Sequence, residues 1–340
     1  MKSAQQASLK KSTLSRTASA LLMMVAAQLC FSLMLALIKA AQQLQLSRNQ
    51  GSSLSASFGT WESVLFRCFP MALICLFVLL RRQAAGHSHP TLSPADLKWL
   101  LTRGVIGALS MACFFYGTLH IPLALASLFS NSSVFLIGIL GHIFLSERLT
   151  RSRIVCALGG LAAVALILGT GHQSSNASSP LFPWEATSVA ENGSTTDFLI
   201  SFGSGILAAV AYFSVRKMKN IPSNTIILSL SLSGLGLALL SALLYAPLRI
   251  PQDPAVLALL CLSGIPAVIA QYLMTWSFQA AEAGYVALGQ YSGPLFAALL
   301  GFVAFDETLN TVQWIGAGLA ICFGILMPLM DARHRQSENH

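Results

Sequence analysis

The sequence predicts an all-α polytopic membrane protein of ten transmembrane helices, arranged as two inverted five-helix repeats. Three observations lead there: apolar runs of spanning length recur along the chain, basic residues fall on alternate loops, and the second half echoes the first.

Of the 340 residues, 55% are hydrophobic and only 9% charged. Soluble domains carry about 25% charged residues, so lipid is the expected solvent for most of this surface. Ten apolar segments follow one another at about 18–38, 61–80, 99–118, 122–145, 154–171, 199–215, 223–245, 255–278, 284–305 and 312–330. A helix is the form in which such a segment satisfies its own backbone hydrogen bonds in hydrocarbon. The first run has 21 residues after the basic stretch Lys2, Lys10, Lys11 and Arg16. That is too long for a signal-peptide core and right for a retained span.

Basic residues test the count independently. With the N-terminus cytoplasmic, the cytoplasmic segments hold fifteen Lys and Arg, whereas the opposite loops hold three, Lys39, Arg48 and Arg249. Arg67 and Arg103 fall within helices. Such a bias predicts an even number of spans with both termini cytoplasmic, in a bacterial inner or eukaryotic plasma membrane. The net charge of +8 therefore reads as topogenic, and no nucleic acid partner is expected. Lys39, ending the first segment, is expected to snorkel to the interface. The expected partners are the bilayer, a small-molecule substrate and a coupling proton or exchange solute, for a chain acting as monomer or homodimer.

Five regions result: a basic cytoplasmic tail at 1–17, a first five-helix repeat at 18–171, an external acidic loop at 172–198, a second repeat at 199–330, and a cytoplasmic tail at 331–340. The external loop holds Glu185, Glu191 and Asp197 without Lys or Arg, and N-x-[ST] sequons at Asn176 and Asn192. Seven cysteines all fall in apolar runs with no C-x-x-C pair. They read as small apolar core residues, with neither a disulfide framework nor a metal site.

The repeat appears when residues 117–149 are laid on 277–309, an offset of 160 without gaps. Leu128, Ser132, Leu140, Gly141, Glu147 and Leu149 then coincide with Leu288, Ser292, Leu300, Gly301, Glu307 and Leu309. In each copy a helix rich in small residues ends in a carboxylate and a new helix follows. Five helices per half is odd, so the halves must cross in opposite directions, the architecture used for alternating access around a midplane site.

The paired Ser146-Glu147-Arg148-Leu149 and Asp306-Glu307-Thr308-Leu309 resemble the signatures of the EamA-type family of the drug/metabolite transporter superfamily. Gly159-Gly160 and Gly316-x-Gly318 fit the same pattern. So do Arg67 with Arg81-Arg82, and the run from Gly203-x-Gly205 through Ala211-Tyr212 to Arg216-Lys217. The resemblance covers roughly 18–330 and implies two EamA-like five-helix repeats around a central cavity, built for transport.

Polar residues within lipid are costly and usually face a bundle interior or aqueous path. Gln28, Tyr116, Asn131, Tyr212, Gln271, Trp276, Gln290 and Tyr291 are the expected substrate-binding set. Tyr272 lies among them in the eighth segment. Under the offset, Tyr116 falls on Trp276, Ser130 on Gln290 and Asn131 on Tyr291. Each also has a plainer reading, an interhelical hydrogen bond worth about 0.6 kcal/mol. Arg67, Glu147, Glu307 and Pro294 are expected in gating or structural roles. Arg67 keeps its charge under all ordinary conditions; snorkelling, pairing with Glu62 and attraction of an anionic group are its open readings. Pro294, after Gly289-x-x-x-Gly293, removes a backbone donor and predicts a kink.

No Asp or Glu lies deep in a segment, which disfavours proton-coupled efflux of lipophilic cations. His142 stands alone near one helix end, where a histidine is usually structural. Neutral or zwitterionic metabolites such as amino acids suit the polar and aromatic set better. A nucleotide-sugar or phosphorylated-metabolite exchanger would require several basic residues lining the cavity. The alternative from another class is a non-transporting membrane scaffold or receptor. No H-E-x-x-H, G-x-S-x-G or P-loop pattern occurs, so neither an enzyme nor a cofactor is expected.

Overall fold

A computed structural model describes residues 2–48, 60–85, 92–120, 129–145, 151–169, 195–244 and 248–305, with 311–312, 314–316, 318–319 and 322. Among these, helix is the only regular structure, and no strand occurs. Six helices are long and apolar enough to cross a membrane: Thr17–Gln45, Trp61–Ala84, Pro94–Phe114, Leu199–Lys217, Ser223–Leu244 and Pro254–Ala280. Phe129–Leu145 and Ile154–Ala163 are shorter apolar helices.

In chain order, α1 spans Lys2–Arg48, α2 Thr60–Ala84 and α3 Pro94–Leu101. A π-helical turn at Thr102–Ile106 leads into α4 at Gly107–His120. Then come α5 at Ser133–Leu145, α6 at Arg151–Gly169, α7 at Thr195–Lys217, α8 at Ser223–Leu244 and α9 at Pro254–Ala280. The ninth apolar segment is broken into α10 (Ala283–Ala287), a 3-10 turn (Leu288–Tyr291) and α11 (Ser292–Phe305). Pro294 accounts for the break. Its ring collides with the carbonyl four residues back, at Gln290, and it has no N–H to donate there.

Helix ends are capped by their own residues. Ser93 and Asp96 form a reciprocal capping box before α3, and the Asp253 carboxylate accepts the Ala255 N–H at 2.8 Å ahead of Pro254. At the end of α7, Lys217 donates to the Phe144 carbonyl in the last turn of α5 (3.0 Å), and Arg216 to that of Gln279 (3.0 Å). The Gln279 amide donates to the Met218 and Ile221 carbonyls and accepts from Ser223. The ends of α5, α7 and α9 thus lie together on one face of the bundle. At the opposite face, Tyr116 of α4 donates to Asp197 of α7 (3.0 Å), and Glu62 of α2 accepts the Arg249 N–H (2.6 Å). Glu62 is therefore engaged with the segment before α9, not with Arg67.

The helix pairings come in exchanged sets. If each segment is replaced by its counterpart five segments on or back, α1 against α9 becomes α7 against α4, and both pairs pack extensively. Likewise α1 with α11 becomes α7 with α5, and α2 with α9 becomes α8 with the π turn. One further pair, α2 with α8, maps onto itself. Local detail follows the exchange. Ser132 donates to the Phe129 carbonyl (2.5 Å), and Ser292 to that of Gly289 (2.7 Å). A Cβ on Gly104 would meet Ser229 and Ser233 of α8, and one on Gly264 would meet Pro70 of α2.

The principal core joins α1, α5, α6, α7, α9 and the 283–291 stretch through Met24, Ile137, Cys156, Val215, Phe278, Val286 and Tyr291. Large apolar side chains such as Leu22, Phe77, Leu243, Ile265 and Val303 are exposed on the outside, as a surface in contact with lipid tails requires. Cys68, Cys75 and Cys156 are buried in the core, as apolar residues would be, while Cys261 and Cys322 face outward. Lys39 differs from expectation: only 3% of it is exposed. It is turned into the bundle, where α1 packs along α9, and does not reach out to the interface.

Candidate functional site

The polar residues lie on elements that pack in sequence: α1 on α9 and on the broken ninth segment, α9 on α7, and α7 on the π turn. On α1, Gln28 lies against Gly293, whose missing Cβ leaves it room (2.7 Å from the Gln28 Oε1). One turn on, Ser32 donates to the Gly293 carbonyl at 3.1 Å. Gly289 rests on Met24 in the same way. Glycines here let the broken segment lie directly on α1. The neighbouring Gln290 is buried, and its Nε2 has no hydrogen-bond partner. Tyr291 is buried too; its hydroxyl donates to the Ala157 carbonyl (2.7 Å), and its ring lies against Gly160 of α6.

Tyr212 of α7 stacks on Phe278 of α9, ring centroids 5.4 Å apart and planes within 13°. The Arg103 guanidinium lies 5.6 Å from the Tyr212 ring centre. Only 2% of Arg103 is exposed, and its Nε has no partner. The π turn is what places it there. A π turn carries an extra residue, which re-aims the side chains that follow; Gly104 lets the turn press against α8. Arg67 of α2 sits over the Phe31 ring of α1 at 5.0 Å. Two turns before Phe278 on the same face of α9 is Gln271, 1% exposed, with neither amide atom hydrogen-bonded.

Of the residues singled out in the sequence, Gln28, Tyr212, Gln271, Gln290 and Tyr291 therefore lie on these packed elements. Asn131 belongs to the helical stretch 129–131 just before α5, which packs on α7 through Phe129 and Phe202 (5.8 Å). Tyr116 is engaged with Asp197 at one end of the bundle. Trp276 does not join the others: it is 45% exposed, on the outward stripe of α9 with Leu262, Ile265 and Ile269, and tilts against Tyr272. Pro294 stands in the first turn of α11. Glu147 and Glu307 lie outside the described residues.

Sequence reasoning passed over two features. One is Arg103, whose pattern Arg103-Gly104-x-x-Gly107 was the available signal. A Cβ at Gly107 would come within 2.5 Å of the Arg103 Nη1, so the glycine makes space for the guanidinium. The other is a polar clasp between α2, α8 and α9. Asn224 donates to the Cys75 carbonyl (2.9 Å) and accepts from the Tyr272 hydroxyl, which also meets the Cys75 Sγ at 3.5 Å. Among the described residues no group of three His, Cys, Asp or Glu converges as metal ligands would. The arrangement suits recognition of a small solute by charge, amide and aromatic face.

Comparison with known proteins agrees with this architecture. The model of the EamA-like transporter family matches twice, over residues 18–169 and 195–329. An uncharacterized transporter of Helicobacter pylori (strain J99) is 28% identical over 90% of this chain and 93% of its own. The pseudopaline exporter CntI of Pseudomonas aeruginosa (strain UCBPP-PA14) is 28% identical over 89% and 93%. A riboflavin transporter of Rhizobium johnstonii is 25% identical over 69% and 72%. A solved crystal structure, 21% identical, superposes with a TM-score of 0.70 over 93% of this chain and 98% of that one. The chain is an integral, multi-pass membrane protein and belongs to the EamA-like transporter family.

Proposed function

We propose that this protein is a secondary carrier that moves a small organic metabolite, amino-acid-like and neutral or zwitterionic, by alternating access. In this reading residues 18–171 and 199–330 are two inverted five-helix repeats. Both termini are cytoplasmic, in the cell membrane, and the 172–198 loop is external. Coupling is to a proton or an exchange solute. The observation that supports the reading is the matched set of helix pairings, α1 with α9 beside α7 with α4 among them, as two halves related by a pseudo-two-fold would give; Gln28, Tyr212, Gln271 and Gln290 are the proposed site between them. Two related halves rocking about a fixed site expose it to each side in turn. Amides and aromatic faces at that site bind polar organic groups without demanding a metal or a lipophilic cation.

The test is uptake of labelled amino acids into proteoliposomes of the purified protein, compared with empty liposomes and with Gln290→Ala. Saturable uptake, lost in the variant, is expected. Binding without flux would support the receptor alternative and end the carrier reading. Topology is tested by single cysteines at Ser93 and Ser175 in intact cells: an impermeant maleimide should label the second and not the first.

A further inference from the structure

The strongest unassigned feature is the buried Arg103, together with the half-buried Arg67 on α2. A guanidinium stays charged under all ordinary conditions, and leaving a buried charge uncompensated costs several kcal/mol. Other buried polar side chains, Glu62 and Asn224 among them, do have partners: Glu62 takes an N–H, and Asn224 meets a carbonyl and a hydroxyl. Among the described residues neither Arg103 nor Arg67 forms an ion pair. Arg103 has an aromatic face and an unpartnered Nε; Arg67 has the Phe31 face. An aromatic face returns about 2 kcal/mol to a desolvated cation, less than burial removes.

We propose that Arg103 docks an oxyanion of the transported solute, a carboxylate. Arg67 supplies a second positive charge, and Tyr212, stacked on Phe278, supplies a wall for the solute's flat or apolar part. This rests on the carrier reading above and sharpens its substrate class: a small organic acid or amino acid recognised through its carboxylate. Three features of the geometry favour it. The π turn and Gly107 aim and accommodate the guanidinium at the junction with α7. A guanidinium meets a carboxylate through two parallel hydrogen bonds, which fixes the solute's orientation as well as its charge. The unpartnered Gln271 amide, two turns along α9 from Phe278, offers a neutral donor and acceptor for a second polar group of the same solute.

The test uses the full-length protein in detergent and in proteoliposomes. Thermal stabilisation is measured with phenylalanine, benzoate and succinate, each beside its methyl ester, and with inorganic phosphate and phenyl phosphate. Variants are Arg103→Lys, which keeps charge but loses the fork, and Arg103→Met, which removes a buried charge and is expected to melt at or above the wild-type temperature. A carboxylate that stabilises where its ester does not, with affinity reduced about 30-fold or more in both variants, is the expected result. The same Arg103 dependence with phosphates alone would keep the oxyanion site and assign it to a phosphorylated solute. Acid and ester acting equally, no acid or phosphate acting at all, or Arg103→Met binding like wild type would overturn the proposal. The carrier reading fails separately. Arg103-dependent anion binding with no flux of any solute would leave an anion site on a non-carrier, whereas neutral-solute flux unchanged in Arg103→Met would leave a carrier without this site.

Discussion

Replacing Gln271 by Leu should make the protein more stable and a poorer transporter. Both amide atoms of Gln271 are buried among the described residues without a hydrogen-bond partner, in the middle of α9. An unsatisfied buried polar group costs about 1–3 kcal/mol in water-soluble proteins. In a bilayer the unfolded reference also lacks water, and polar interactions there average about 0.6 kcal/mol. Two atoms on one side chain therefore set the cost at roughly 1–2 kcal/mol on that combined scale. Leu has nearly the same volume, so no cavity offsets the gain. The expected shift is a factor of about 5–30 in the folded-to-unfolded ratio. It is read by titrating the purified protein with SDS in mixed micelles and following tryptophan fluorescence. Transport into proteoliposomes is measured on the same preparation. Destabilisation by more than about 1 kcal/mol would mean that the amide is satisfied in the folded protein. Unchanged transport with a stability gain would remove Gln271 from the site and leave it as packing.

Four further outcomes follow from the packing. A double-mutant cycle of Asn224→Ala and Tyr272→Phe should give a coupling energy of about 0.6 kcal/mol, and at most about 1.7, because their side chains bond each other across α8 and α9; strict additivity in SDS titrations would refute the clasp. Gly205→Ala should lose about 1–3 kcal/mol by overpacking, since its Cβ would strike the Phe129 carbonyl and Ser132 Oγ. Gly203→Ala, which meets nothing within 4 Å, should gain up to about 1 kcal/mol from helix propensity in the same titration. In native detergent solution, a membrane-permeant maleimide should label Cys261 well before Cys68, Cys75 and Cys156, as mass spectrometry of timed aliquots would reveal; early labelling of the buried three would refute the packing of α2 and α6.

Apolar run length made the spanning helices legible, because lipid imposes one backbone solution on each run. The break in the ninth segment was legible too, since Pro294 after two glycines acts through its own covalent geometry. Faces were harder. Spacing says how far along a helix Lys39, Glu62 or Arg103 lies, but not which neighbouring helix covers it. Lys39 thus looked like a snorkelling end residue, and pairing with Glu62 stayed open for Arg67 beside two other readings. Trp276 and Tyr116 fall at related positions of the repeat, yet one faces outward and the other is engaged at a bundle end. The π turn shifted the register of the third segment in a way that no apolar pattern records. Arg103 could be placed only after that register was known.

The likeness between the halves is most informative where it fails. At the offset of 160, Gly104 and Gly264 coincide, and both permit close approach of a helix from the other half. The preceding residues differ: Arg103 in one half, Ser263 in the other. Ser263 turns its hydroxyl back to its own helix, to the Leu260 carbonyl at 2.6 Å, whereas Arg103 points a charge at Tyr212. In the proposed carrier the matched glycines keep the two halves mechanically alike, so the inward- and outward-open arrangements have similar energies. The mismatch gives the site one charged side and one neutral side, and a solute bound there has a single preferred orientation. Placing a second arginine by Ser263→Arg would restore symmetry of charge at the cost of that preference. The expected result is weaker stabilisation by monocarboxylates than in the wild type, measured by thermal shift in parallel with Arg103→Met. Unaltered monocarboxylate binding would show that residue 263 lies outside the solute's reach and would confine selectivity to the Arg103 side.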